Sequence, residues 1–283
     1  MIRPHRKDDT LLRHIHEAEG GAGHFTLWWL GQSGFLVKWH GEFLLFDPYL
    51  SDSLTRKYAT TDKPHVRMTE LVIDPARLDF IDVITSSHNH TDHLDAETIS
   101  PLHAANPSLK LVLPAANIEF ARGRLGDAGP EMVGLDENTT VNVGAFNFTG
   151  IAAAHNEIDR DEAGRCHYLG FMVEFGPWRI YHSGDTLWHP GLVPALLPAK
   201  PHLMLLPING NRPERRVAGN LNGSEAAALA RACGARMVIP CHYDMFEFNT
   251  ESPEEFSTIC ERIGQPHRVL LNGESWTSRE IGG

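Results

Sequence analysis

Four of six consecutive residues in His88-x-His90-x-Asp92-His93 carry imidazole or carboxylate side chains. These are ligand types for borderline divalent ions, which take four or more donors. Read as the end of a strand over residues 80–86, the period-two pair His88 and His90 faces one side while Asp92 and His93 face a neighbouring point. The segment therefore begins two adjacent metal sites and completes neither. Further donors are expected just beyond other strands on the same rim. His155 follows an expected strand over 146–152, with His167 as a competing imidazole. Asp185 follows 178–182 within His182-Ser183-Gly184-Asp185-Thr186, where the small residues allow close backbone approach. His242 follows Val238-Ile239-Pro240-Cys241.

The elements that must position these groups are legible as alternating periods. Residues 1–23 read as a polar N-terminal extension with one short helix around 10–19, ended by Gly20-Gly21. The pair His14-x-His16 there points to two helix faces and reads as solvated. From residue 24 to 283 a single domain is expected. Strands over 24–30, 35–39, 42–46, 80–86 and 109–113 precede a helix over 115–125. A second set covers 139–143, 146–152, 168–175, 178–182, 203–206 and 237–240. Helices are expected over 225–233, with Ser224 as N-cap, and from the Ser252-Pro253-Glu254-Glu255 capping box to Gly264. No low-complexity linker divides the chain, so it reads as one α/β domain of two similar halves meeting near residue 135.

Composition narrows the partners. The chain has 283 residues, 42% hydrophobic and 22% charged, which suits a folded domain with its own core. A formal charge of -11 argues against nucleic acid and anionic membranes. The N-terminus lacks the apolar run of a signal peptide, and no later segment is apolar enough to span a bilayer, so a cytoplasmic protein is expected. The four cysteines form no C-x-x-C pair and read as free thiols. Histidine is unusually frequent, with 17 residues. His5, His24, His40, His65, His103, His202 and His267 have no ligand-like context and read as surface or hydrogen-bonded core.

At this point the sequence resembles the metallo-β-lactamase superfamily, most closely its L-ascorbate-6-phosphate lactonase branch. The resemblance runs from Leu27 onward, through Trp29-Leu30-Gly31-Gln32-Ser33-Gly34, Phe46-Asp47-Pro48-Tyr49, the 87–95 motif, Ser183-Gly184-Asp185-Thr186, Leu206-Pro207-Ile208-Asn209-Gly210 and Ile239-Pro240-Cys241-His242-Tyr243-Asp244. The first and third motifs are also shared with N-acyl-phosphatidylethanolamine phospholipase D relatives. The resemblance implies a four-layer αββα sandwich with a two-metal site at one edge of its sheets. One ion would take His88, His90 and His155, the other Asp92, His93 and His242, with Asp185 bridging. Zn, Mn or Fe would suit five imidazoles and two carboxylates.

Such a pair of ions lowers the pKa of a bridging water, and the chain has no Gly-x-Ser-x-Gly elbow for a serine nucleophile. The expected reaction is attack of metal-bridged hydroxide on a lactone or cyclic ester of a small acidic or phosphorylated carbohydrate, with Asp92 and Asp185 as catalytic carboxylates. A binuclear phosphodiesterase is the alternative, and a non-catalytic binding protein on the same fold a third. For an anionic small-molecule substrate, Arg212, Arg215 and Arg216 are expected to supply guanidinium forks, together with Asn209 and Tyr243. Arg67, Trp188 and His189 are secondary candidates for the cleft border. His182 and Tyr243 suit either hydrogen bonding at the site or packing beneath it. Asp47 is expected to hydrogen-bond ligand histidines or local backbone. A homo-oligomer is left open.

Overall fold

Strands buried on both faces read as continuous apolar runs, and Thr26–Gly31 (Thr-Leu-Trp-Trp-Leu-Gly) is such a run. A computed structural model describes residues 1–281. Its first half contains α1 (Asp8–Glu17), β1 (Thr26–Gly31), β2 (Gly34–Trp39), β3 (Glu42–Phe46), α2 (Ser53–Tyr58), β4 (Val83–Thr85), α3 (Ala96–Ala105), β5 (Lys110–Pro114), α4 (Ile118–Leu125) and β6 (Glu131–Leu135). The second contains β7 (Thr140–Val143), β8 (Phe146–Ala152), β9 (Leu169–Phe175), β10 (Trp178–His182), α5 (Leu192–Leu196), β11 (Leu203–Pro207), α6 (Gly223–Ala232), β12 (Met237–Cys241), α7 (Glu254–Ile263) and β13 (Ser275–Thr277).

Two mixed sheets result, in the orders β13-β1-β2-β3-β4-β5-β6 and β12-β11-β10-β9-β8-β7. Alternation along β1 and β3 builds both cores of the first sheet. Leu27, Trp29, Leu44 and Phe46 face the second sheet, packing with Phe148, Phe171 and Leu205. Trp28, Leu30, Phe43 and Leu45 face the other way, toward Leu11 and Ile15 of α1 and Ile99 and Leu102 of α3. On the far side of the second sheet, α6 packs on β11 and β12 with α7 beside it. This is an α/β layered sandwich of two halves, dividing between β6 and β7 as the sequence indicates.

Several local expectations change. The N-terminal segment is docked: Leu11 and Ile15 are fully buried, and Lys38 Nζ donates to the carbonyls of Ile15 and Ala18 at 2.9 and 2.8 Å, capping the end of α1. His16 is exposed as expected, but His14 is half-buried and its Nδ1 accepts from Trp28 Nε1 at 3.0 Å. The N-cap of α6 is Asn222 rather than Ser224. Asn222 Oδ1 accepts from Glu225 N at 2.9 Å, and Glu225 Oε2 accepts from Asn222 N at 3.0 Å. The short helices α2 and α5 and the strands β6 and β13 are stabilised by tertiary packing and leave little periodic signal.

Candidate metal centre

Each candidate ligand sits on a loop just beyond a strand, at one rim of the sandwich. β4 ends at Thr85, so the segment from Ser86 is a loop and not the strand end expected from sequence. Its shape is set locally: Ser86 Oγ donates to His88 O at 2.7 Å, and the Leu94 amide donates to His90 O at 2.9 Å in a turn. That turn swings Asp92 and His93 back toward His88. Gly184 has φ +57, and a Cβ there would collide with Ser87. The missing side chain lets the Asp185 loop touch the His88 loop. His242, in a left-handed conformation with φ 63, is anchored by its amide donating to Gln32 O at 3.0 Å.

The structure brings the seven residues together as three overlapping clusters: His88, His90 and His155; Asp92, His93 and His242; and His88, His93 and Asp185, each with its ligand atoms within 4.8 Å of one another. Asp185 spans the first two. Its Oδ1 lies 3.4 Å from His93 Nε2, and its Oδ2 lies 3.4 Å from His242 Nε2 and 3.7 Å from His155 Nε2. His88 Nε2, His93 Nε2 and Asp185 Oδ1 are buried without a hydrogen-bond partner. Buried polar atoms are normally satisfied, so three orphaned lone-pair donors converging on one point fit a cation.

In three of the five imidazoles the other ring nitrogen is tied down. His93 Nδ1 contacts Asp47 Oδ2 at 2.7 Å, His155 Nδ1 donates to Gly219 O at 2.9 Å, and His88 Nδ1 lies 3.0 Å from Ser87 Oγ. These contacts aim Nε2 inward. Asp47, fully buried, also accepts from the Ser87 amide at 3.1 Å and from Thr85 Oγ1 at 2.6 Å, so one carboxylate fixes both a ligand and the root of its loop. Burial pushes the Asp47 carboxyl up, but His93, His182 and Ser87 outweigh it and hold it below the ordinary value.

The same competition polarises the centre. Burial works against charge on Asp185, yet His242 and His93 hold it well below the carboxylate range. Burial also opposes charge on His93, and there Asp185, Asp92 and Asp47 win, raising it well above the imidazole range. His88 is driven well below that range by burial and by neighbouring His93 and His90. The buried carboxylates thus favour positive charge at this point, the charge a bound cation would supply.

The centre forms the floor of a cleft of about 500 Å³, with Gln32, His90, Asp92, His155, Asp185 and His242 below and Leu54, Lys57, Tyr58, His65, Phe120, Arg124, Phe246 and Phe248 among its walls. Gln32 Nε2 donates to Asp92 Oδ2 at 2.8 Å. The expected anion loop is elsewhere. Arg212 and Arg215 pair with Glu251, Arg216 pairs with Asp62 at 2.9 Å, and none of the three lines the cleft. Acidic neighbours on the same surface capture the guanidiniums. Asn209 lies behind the wall, donating to Asn249 Oδ1 at 3.0 Å and accepting from Asn220. Tyr243 packs beneath the site, its ring 4.4 Å from that of Trp29 and its hydroxyl donating to Leu270 O at 2.5 Å.

The secondary candidates are structural as well. Arg67 is buried and pairs with Asp52 at 2.6 Å, and His189 Nε2 donates to Ala152 O at 2.9 Å. Trp188 is absent from the cleft walls. His182 stacks on Phe46 at 4.8 Å and donates to Ser33 O. His167 meets Asn117 Oδ1 at 2.9 Å, leaving His155 as the imidazole in the cluster. Conversely, His65 borders the cleft, stacked 4.2 Å from Tyr58. The walls carry little signal in sequence, because they come from α2, α4 and the loops around His65, Val217 and Phe246, which only the fold assembles. The Phe120 and Arg124 spacing of four on α4 is the exception, since it places both on one helix face.

Comparison with known proteins agrees with this architecture. Residues 43–243 match the family model described as the beta-lactamase superfamily domain. A UPF0173 metal-dependent hydrolase of Rubrobacter xylanophilus is 30% identical over 258 residues, covering 88% of this chain and 93% of that protein. A UPF0173 metal-dependent hydrolase of Aeropyrum pernix is 27% identical over 262 residues, covering 88% and 96%. Among solved structures, the metallo hydrolase Igni18 of Ignicoccus hospitalis is similar in fold, with a TM-score of 0.66 and 19% identity over 90% of this chain and 98% of that one. With the family model matching well over half of the chain and a 30% identical relative covered almost end to end, the chain belongs to the metallo-β-lactamase superfamily as one of its UPF0173 metal-dependent hydrolases.

Proposed function

We propose that this hydrolase opens a lactone or other carboxylic ester of a small organic acid, with two divalent ions held by the seven clustered residues. The carrying observation is Asp185, whose two oxygens face His93 on one side and His155 and His242 on the other. One ion would be held by His88, His90 and His155, the other by Asp92, His93 and His242, with Asp185 between them. Zn, Mn or Fe suits this thiolate-free donor set. When bound, such ions supply a water of lowered pKa and polarise a carbonyl oxygen.

The chain's own residues do the rest. Asp92 borders the cleft with 17% of its side chain exposed, against 5% for Asp185, so it is the carboxylate placed to orient a water and accept its proton. The Gln32 amide fixes the Asp92 Oδ2 lone pair that faces inward. His93 is held by Asp47 and cannot rotate away when the charge balance changes. The apolar wall of Leu54, Phe246 and Phe248 excludes water from one side of the substrate.

This reading keeps the ester chemistry expected from sequence and drops the phosphorylated carbohydrate, whose support was the arginine loop now paired with Glu251 and Asp62. The test is turnover by the metal-loaded protein of a panel of lactones and aryl esters beside bis(p-nitrophenyl) phosphate. Hydrolysis of the carboxylic esters that is lost in Asp185→Asn is expected. Faster cleavage of the phosphodiester would favour the phosphodiesterase alternative.

A further inference from the structure

The cleft contains one guanidinium whose position the metal centre does not explain. Arg124 lies on α4 and lines the cleft beside Asn89 and His90. Its Nη1 donates to the carbonyls of Asn89 at 2.7 Å and Leu94 at 3.0 Å, both in the loop that carries His90, Asp92 and His93. One turn earlier, Phe120 lies under the guanidinium, 4.5 Å from ring centroid to Cζ. Nε and Nη2 make no hydrogen bond, and no carboxylate lies within 4.0 Å of Arg124 among the described residues. Elsewhere in this acidic chain the arginines around the cleft, Arg56, Arg67, Arg212, Arg215 and Arg216, all have carboxylate partners.

A half-buried guanidinium held rigidly at one edge and bare at the other is preorganised for a planar anion. Burial also lowers the Arg124 pKa, with only Asp95 opposing, so the charge carries an unrepaid desolvation cost. Lys57, the other lysine or arginine among the residues lining the cleft, is exposed. Tyr58, Phe246 and Phe248 supply aromatic surface beside it.

We propose that Arg124 is the specificity-determining residue of the cleft, receiving a substrate carboxylate on its free Nε and Nη2 edge while the substrate's apolar body lies against the aromatic wall. This deepens the hydrolase reading above by naming its substrate class, a carboxylate-bearing ester, and rests on that reading for the reaction. The free fork offers two parallel donors, which match the two coplanar oxygens of a carboxylate.

The test reads binding rather than turnover, so it stands apart from the ester assignment. Calorimetry on the metal-loaded protein compares 3-phenylpropionate with its neutral isostere 3-phenylpropionamide. Wild type is expected to prefer the carboxylate by at least about tenfold, the scale of one charge-assisted bidentate pair. Arg124→Gln should bring that ratio below about threefold. Because Arg124 also steadies the ligand loop, a second variant keeps its carbonyl contacts: Phe120→Glu places a carboxylate one turn away on the same helix face, within reach of the guanidinium, so that the charge is paired internally. It should abolish the preference too, with bound metal unchanged. Equal binding of the two probes by wild type overturns the proposal. So does a preference that survives Phe120→Glu, since the carboxylate would then be bound by the ions. If no ester is hydrolysed but the Arg124-dependent preference is found, the reaction assignment fails and the subsite stands.

Discussion

Asp47 Oδ2 and His93 Nδ1 are 2.7 Å apart, with both side chains fully buried. The contact fixes the His93 tautomer so that Nε2 faces Asp185, 3.4 Å away. It couples the end of β3 to the ligand loop after β4, so the sheet positions the metal centre through one carboxylate. Outer partners of ligand histidines typically contribute about 10–100-fold in metal affinity. Asp47→Ala should weaken metal binding by that factor in a chelator competition titration, and Asp47→Asn should weaken it less. Unchanged affinity in both would remove the positioning role.

Asp185 serves both clusters, whereas Asp92 serves one. Asp185→Asn should therefore lower the bound metal measured by elemental analysis and reduce turnover by at least about two orders of magnitude, the scale of removing a charge-stabilising group. Near-normal turnover in Asp185→Asn or Asp92→Ala would defeat the catalytic assignment.

In the metal-free protein His93 keeps its proton above the ordinary 6.5, because Asp185 and Asp92 outweigh its burial. A metal must displace that proton. Apparent metal affinity should fall as pH drops, beginning above the range of a free imidazole, and loading should release protons into a weakly buffered solution. A flat affinity profile between about pH 6 and 9 would contradict the charge balance described for the centre.

His202 provides a separate pH effect. Burial, with Arg179 and Arg236 nearby, depresses it from 6.5 to about 4, and its Nδ1 accepts from the Arg179 amide at 3.0 Å. As pH falls, the unfolded chain takes up this proton first. The stability contribution is whole above pH 6.5 and is lost progressively toward pH 4. His202→Asn, whose Oδ1 can accept the same amide, should flatten the acid side of the urea midpoint against pH relative to wild type.

Gly184 tests the close approach of the two ligand loops. Its φ of +57 and the collision of any Cβ with Ser87 predict that Gly184→Ala costs at least about 2 kcal/mol and loosens metal binding together with stability. Equilibrium denaturation of the metal-free and metal-loaded forms measures both. An effect confined to stability would show that the loops can separate without disturbing the ligands.

Much of this arrangement is legible in the residues themselves. Hydrophobic period and glycine punctuation place β3, β8 and β10 at their observed bounds, because β3 is a near-continuous apolar run and β8 begins with the alternation of a strand that buries one face. The metal-ligand candidates are legible because histidine and aspartate just beyond strands are costly to bury without a partner. The anion subsite is not. Arg212, Arg215 and Arg216 are the conspicuous cations in sequence, but Glu251 and Asp62, distant in the chain, neutralise them in space. Arg124 is inconspicuous in sequence and is left bare in the cleft because α4 packs against the ligand loop. The sequence alone determined which residue types meet at the rim, since local pattern sets strands and their ends. Tertiary structure decided which charges are paired and which face the substrate, because pairing depends on distances across the fold that no local period encodes.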